Sequence, residues 1–210
     1  MAFLKKYIFI TLFLVITKNT CTAQSNSNLL KAFNSSYYWQ LKANYPKAIQ
    51  ALETIKNQFP YEYNLRCGWL YYLMGNYTTS VQFYQLAIKE KPTALEPIFG
   101  IINPLIALQH IEDVIKQYQQ ILAINPQEAI AIYQLALLYF NREEYTKCIE
   151  LLNTYCKLYP TEVNGLLLSA KTFLKLKDYS KANSFINQLQ ILYPLNMELK
   201  KLQEEYNLKK

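Results

Sequence analysis

The chain has 210 residues, 51% of them hydrophobic and 15% aromatic, with a formal net charge of +7. That apolar content excludes a disordered, charge-dominated chain, which could not offset the entropy of ordering. The 22 Lys and Arg residues outnumber 15 Asp and Glu but are dispersed; without an Arg cluster or a long basic run they read as solvated helix faces, and no nucleic-acid partner is expected.

In chain order, residues 1–23 come first. They place Lys5 and Lys6 before an apolar run from Tyr7 to Ile16 and end on Cys21-Thr22-Ala23. Charge, a short apolar stretch and small residues, in that order, make the pattern of a secretory signal peptide. Cleavage after Ala23 would leave a chain beginning at Gln24, with a formal charge of +4 once Lys5, Lys6 and Lys18 are lost. The apolar run is shorter than the roughly 20 residues that span a bilayer. An uncleaved anchor is the alternative; otherwise no integral span is expected, and the location is periplasmic or extracellular.

After a short segment, 24–28, Pro60, Pro92, Pro126, Pro160 and Pro194 follow at intervals of 32, 34, 34 and 34 residues. A fixed period of this size marks stacked repeats. Aligning the repeats brings Tyr45, Tyr77, Ile111, Tyr145 and Tyr179 to one place. Compact residues follow three positions later (Ala48, Ser80, Val114, Cys148, Ala182), and large apolar ones four beyond those (Leu52, Tyr84, Tyr118, Leu152, Ile186). These offsets trace one helical face. Six residues before each tyrosine position stand Trp39, Tyr71, Leu105, Tyr139 and Phe173, the apolar stripe of a preceding helix. Each repeat is therefore two antiparallel helices, over 29–60, 61–94, 95–128, 129–162 and 163–194. The tyrosine position is expected to be buried between the pair. In the third repeat, Pro97 fits a first helical turn, whereas Pro104 falls mid-helix and should bend it. The segment 195–210 aligns Leu195, Leu199, Leu202 and Tyr206, as expected of a helix capping the last repeat.

This pattern resembles the tetratricopeptide repeat, a helix-turn-helix unit of roughly 34 residues. Residues 77–92, YTTSVQFYQLAIKEKP, follow it best. The early tryptophan position instead holds Ala32, Asn64, Ile98, Ile132 and Leu166, and the usual Leu-Gly pair appears only as Cys67-Gly68. The resemblance implies an all-α, right-handed solenoid of five repeats with a proline closing each second helix. The Ala-Gln junction is similar to that of exported bacterial proteins.

Catalytic groups are scarce. His110 is the only histidine, so a catalytic triad or a multi-histidine metal site would rest on one residue. Gly68, Gly75, Gly100 and Gly165 form no phosphate-binding loop; Gly75 suits an interhelical turn. No cofactor, metal or catalytic residue is expected. Cys148 and Cys156 are eight residues apart on one helix, about 12 Å along its axis, too far for a disulfide. They and Cys67 are read as thiols.

The resemblance further implies that first helices line a concave groove. Its residues here would be Phe33 and Tyr37; Leu65, Trp69 and Tyr72; Phe99 and Asn103; Tyr133, Leu137 and Phe140; and finally Leu167, Lys171 and Leu174. Family members that grip a terminal carboxylate carry lysines where this chain has Phe33, Leu65, Phe99, Tyr133 and Leu167, so an apolar or amphipathic peptide of another exported protein is the expected partner. The resulting reading is a non-catalytic interaction module of the cell envelope. A fixed structural subunit of an envelope complex is the alternative, and an enzyme with an unrecognised site ranks third.

Overall fold

The computed structural model describes residues 26–209, with side chains to 208. The expected signal peptide and Cys21 lie outside the described residues. The chain is all-α. Helix α1 covers 26–41. It is followed by α2 (Tyr45–Gln50), which runs on into a 3₁₀ turn at Glu53–Ile55, then α3 (Pro60–Leu73), α4 (Tyr77–Glu90), α5 (Leu95–Gly100), α6 (Ile102–Ala107) and α7 (Ile111–Ile124). The series ends with α8 (Ala129–Asn141), α9 (Tyr145–Leu158), α10 (Val163–Lys175), α11 (Tyr179–Leu192) and α12 (Met197–Lys209).

The periodic positions set the helix boundaries. Every second helix starts on the tyrosine position, at Tyr45, Tyr77, Ile111, Tyr145 or Tyr179. Two residues earlier the backbone is left-handed, at Ala43, Gly75, Gln109, Glu143 and Lys177, with φ between 52° and 74°. That conformation reverses the chain within one tight turn. The residue between often caps the new helix: Asn44, Asn76 and Asp178 accept the backbone N–H of Lys47, Thr79 and Lys181 at 3.2, 3.4 and 3.1 Å. Pro92, Pro126, Pro160 and Pro194 stand in the turns after second helices. Pro60 differs, because it is the first residue of α3, where its missing N–H costs nothing.

The compact positions are all fully buried. Ala48, Val114, Cys148 and Ala182 are each 0% exposed, as is Ser80, whose hydroxyl donates to the Gly68 carbonyl at 2.7 Å. Four residues on, Leu52, Tyr84, Tyr118, Leu152 and Ile186 are buried too. The tyrosine position is not. Tyr45, Tyr77, Tyr145 and Tyr179 are only half-buried, since a helix's first residue sits at the edge of the pair and the closest approach comes one turn later. The expectation of burial there is corrected.

The chain divides into two compact units, one ending at Gln109 and the other beginning at His110, so the boundary falls in the turn of the third repeat. In the N-terminal unit, α3 packs on α4, and α4 on α5 and α6; its core includes Ala32, Ala48, Leu52, Ile55, Cys67 and Leu70. The first helix of the third repeat is broken at Ile101. Pro104 has no N–H to offer the Gly100 carbonyl, so the helical ladder is interrupted there. In the C-terminal unit α8 pairs with α9, and α10 with α11. Helix α12 then covers this last pair: Leu199 and Leu202 join Leu166, Leu167, Phe173 and Leu174 in one core. Leu195 is not part of the cap. It precedes α12 and is 87% exposed, while Asn196 caps the helix by accepting the Leu199 N–H at 3.0 Å.

Candidate functional site

In the N-terminal unit, α1 and α3 present Phe33, Tyr37 and Gln40 opposite Leu65, Arg66 and Trp69 around a pocket of ≈ 430 Å³, with Tyr84 and Glu96 completing its lining. Helical spacing explains the grouping, because residues four apart share a face. Tyr37 and Trp69 remain 49% and 38% exposed. The Trp69 ring lies 5.6 Å from that of Tyr72, and Tyr72 lies 5.8 Å from Tyr77. Tyr72, Phe99 and Asn103 are not part of the lining. Phe99 is half-buried and Asn103 exposed, on either side of the break at Ile101.

A second, more apolar pocket of ≈ 440 Å³ adjoins the first, sharing Phe33 and Tyr37 and adding Leu29, Leu30, Asn34 and Glu62. In the C-terminal unit, Tyr133, Leu137 and Phe140 of α8 line a pocket of ≈ 310 Å³ with Asn164, Lys171 and Glu198. Lys171 and Glu198 form an ion pair at 2.9 Å. Leu167 and Leu174 are 6% and 2% exposed. Leu167 nevertheless lines the same pocket, whereas Leu174 does not; the assignment of Leu174 to an open groove is corrected, because it packs in the core that Leu199 and Leu202 of α12 complete.

Arg66 went unnoticed in the sequence because one arginine in a helix has no periodic signature. It is 5% exposed. Its Nε donates to Ser36 Oγ at 3.2 Å, and the guanidinium sits 3.8 Å from the Tyr37 ring centroid. Removal from water holds its pKa below the ordinary arginine value. Around it, burial pushes the Tyr84 phenol and the Cys67 thiol each up to about 12. At the rim, burial first and Glu96 second raise Tyr61 to about 12; Tyr61 donates to Glu96 Oε2 at 3.2 Å.

Other polar residues are committed to structure. Lys47, Lys147 and Lys181 occupy one repeat position and lie 4.4, 5.1 and 5.2 Å from the rings of Trp39, Tyr139 and Phe173, a recurrent cation–π contact. His110 occupies the N-cap position of α7 without a capping bond from its side chain and is exposed. Cys67, Cys148 and Cys156 are free thiols. Among the described residues no group of three or more His, Cys, Asp or Glu side chains is placed to hold a metal ion. Nor is any described helix long and apolar enough to cross a membrane.

Residues 107–189 match the family model described as "Anaphase-promoting complex, cyclosome, subunit 3". No curated protein matches the sequence. Among solved structures, a tetratricopeptide repeat protein from Parabacteroides merdae superposes with a TM-score of 0.70 at 16% identity, covering 87% of this chain and 73% of its own. MamA gives 0.62 at 15% identity over 87% and 96% of the two chains. YrrB, described as a TPR protein with an unusual peptide-binding site, gives 0.65 at 11% identity over 82% and 90%. With the periodic prolines and paired helices already described, these likenesses show that the chain has the fold of tetratricopeptide-repeat proteins.

Proposed function

We propose that the chain is a protein-interaction module that takes an apolar or amphipathic segment of a partner protein in the pocket between α1 and α3. One observation carries this reading: Phe33, Tyr37, Leu65 and Trp69 converge on one open pocket, with two large aromatics partly exposed. Such side chains supply contact area at low entropic cost and recur among interface hot spots. YrrB, a neighbour in fold, is described as having a peptide-binding site, which supports the same class of function. The reading includes no catalytic step and no cofactor.

The test compares stability with binding. Trp69→Ala removes a partly exposed ring and should leave the thermal melt nearly unchanged, because such substitutions alter stability by about 0.5 kcal/mol or less. Binding of an immobilised set of apolar and amphipathic peptides should weaken by about 2 kcal/mol. A Trp69→Ala protein that melts far below the parent identifies the tryptophan as core and defeats the assignment. One that binds peptides as the parent does places the binding surface elsewhere.

The envelope setting is part of the proposal and rests on the sequence pattern at residues 1–23. Intact mass of the exported protein should correspond to a chain starting at Gln24. A membrane-bound form retaining Met1 to Ala23 would establish an anchor instead.

A further inference from the structure

Among the described residues, three buried side-chain polar atoms have no hydrogen-bond partner: Gln40 Oε1, Arg66 Nη2 and Gln117 Oε1. Two of the three line the same pocket, between α1 and α3. Leaving a buried donor or acceptor unpaired costs about 1–3 kcal/mol, and more when the group is charged. Two such groups in one pocket are therefore poor structural economy unless something from outside completes them.

The charge of Arg66 points the same way. A guanidinium stays protonated when buried, and a buried charge ordinarily has an ionic partner. Here the groups acting on Arg66 are Tyr37, Cys67 and Tyr84, two phenols and a thiol among them and no carboxylate. Of the acids nearby, Glu62 pairs with Lys91 at 3.1 Å, while Glu96 lines the same pocket and accepts from the Tyr61 phenol. Stacking on Tyr37 offsets part of the desolvation but leaves Nη2 free to donate.

We infer that this pocket is built for an acidic side chain within an apolar peptide segment, whose carboxylate accepts from Arg66 Nη2 while a neighbouring backbone N–H donates to Gln40 Oε1. A carboxylate supplies both the missing acceptor and the missing counter-charge, and a peptide supplies the N–H. The flanking apolar residues rest on Phe33, Leu65 and Trp69. The pocket continues past Phe33 and Tyr37 into the second apolar pocket, which gives the apolar residues flanking the acid a surface to rest on. This inference rests on the proposed peptide-binding function and specifies its chemistry.

The experiment measures retention of the full chain on synthetic 12-residue peptides of Leu and Phe in four series. Three have blocked ends and a central Asp, Asn or Lys; the fourth has no internal acid and a free terminal carboxylate. The Asp series should bind about tenfold more tightly than the Asn series, equivalent to about 1.4 kcal/mol, with Lys weakest. Arg66→Met should abolish the Asp preference while apolar retention persists. Arg66→Lys, which keeps the charge without the planar fork, should preserve part of it.

Equal binding of Asp and Asn peptides by the parent protein overturns the inference without any variant, and leaves the peptide-binding function standing. An Asp preference that survives in Arg66→Met also overturns it. Retention of only the free-carboxylate series assigns the pocket to a chain end and overturns it as well. No retention of any series removes both the inference and the function on which it rests.

Discussion

Glycine and tyrosine positions show how single residues fix the packing distance between helices. A Cβ added at Gly68 would meet the Tyr84 ring at 2.9 Å, and one added at Gly100 would collide with the same ring, so Tyr84 depends on two glycines from two first helices. A Cβ added at Gly75 would meet nothing within 4 Å, so this glycine is needed only for its φ of 74°. The two kinds of glycine should respond differently. Gly75→Ala should cost about 1 kcal/mol through backbone strain alone, whereas Gly100→Ala should cost about 1–3 kcal/mol through overpacking. Adding Tyr84→Leu should recover part of the second loss and none of the first. Denaturant titration of these variants reads both effects; identical responses to Tyr84→Leu would show that the ring contact is not the cause. The thiols offer a second check at this scale. With Cys67 pushed up to about 12 by burial and Cys148 also raised by burial, neither should be alkylated at pH 8 in the folded protein. Mapping of the labelled peptides should show both modified only after unfolding.

For the elements, the informative feature is how each second helix begins. Asp178 accepts from Lys181 N at 3.1 Å and pairs with the Lys181 ammonium at 2.9 Å. The side-chain bond from Lys181, followed by the backbone one, holds its carboxyl below the ordinary value of 3.8. Because the folded-state pKa is depressed, this contribution to stability is complete above the unfolded value and is lost as pH falls through the folded one. Asp178→Asn keeps the cap geometry but loses the charge. Its melting temperature should therefore decline less than the parent's between pH 5 and roughly 2; parallel declines would show that Asp178 is not a source of acid sensitivity. The broken helix formed by α5 and α6 illustrates the opposite case, in which one residue type overrides apolar periodicity. Pro104 is buried beside Ile102 and Leu105, so the break is packed into the N-terminal unit.

Across the whole molecule, stability is assembled from neighbouring helices within each unit, as in repeat proteins generally. Leu199 of α12 is 1% exposed and completes the core shared with Leu167 and Leu174. Leu199→Ala should cost about 2–5 kcal/mol. Its effect should be local: amide exchange should accelerate through α10, α11 and α12 well before it does so in α3 and α4. Uniform acceleration across both units would show that the chain unfolds as one cooperative body.

The sequence alone determined the architecture, because the repeat period is written in residues whose effects are local. Proline ends or opens a helix wherever it falls, a capping side chain acts on the turn it belongs to, and apolar spacing selects one helical face. Thus Ala48 and Cys148 marked buried positions without knowledge of any neighbour. Much of the candidate site was legible for the same reason: Phe33, Tyr37, Leu65 and Trp69 follow from register on α1 and α3. Tertiary structure decided what each side chain meets. Leu174 holds a groove position by register yet is core, because Leu199 and Leu202 of α12 pack into the same cluster. Tyr77 lies at the edge of its pair, since closest approach depends on where two axes cross. Arg66 became part of the site only when folding enclosed its charge beside Tyr37, for burial and neighbours belong to the surroundings of a residue and not to its place in the chain.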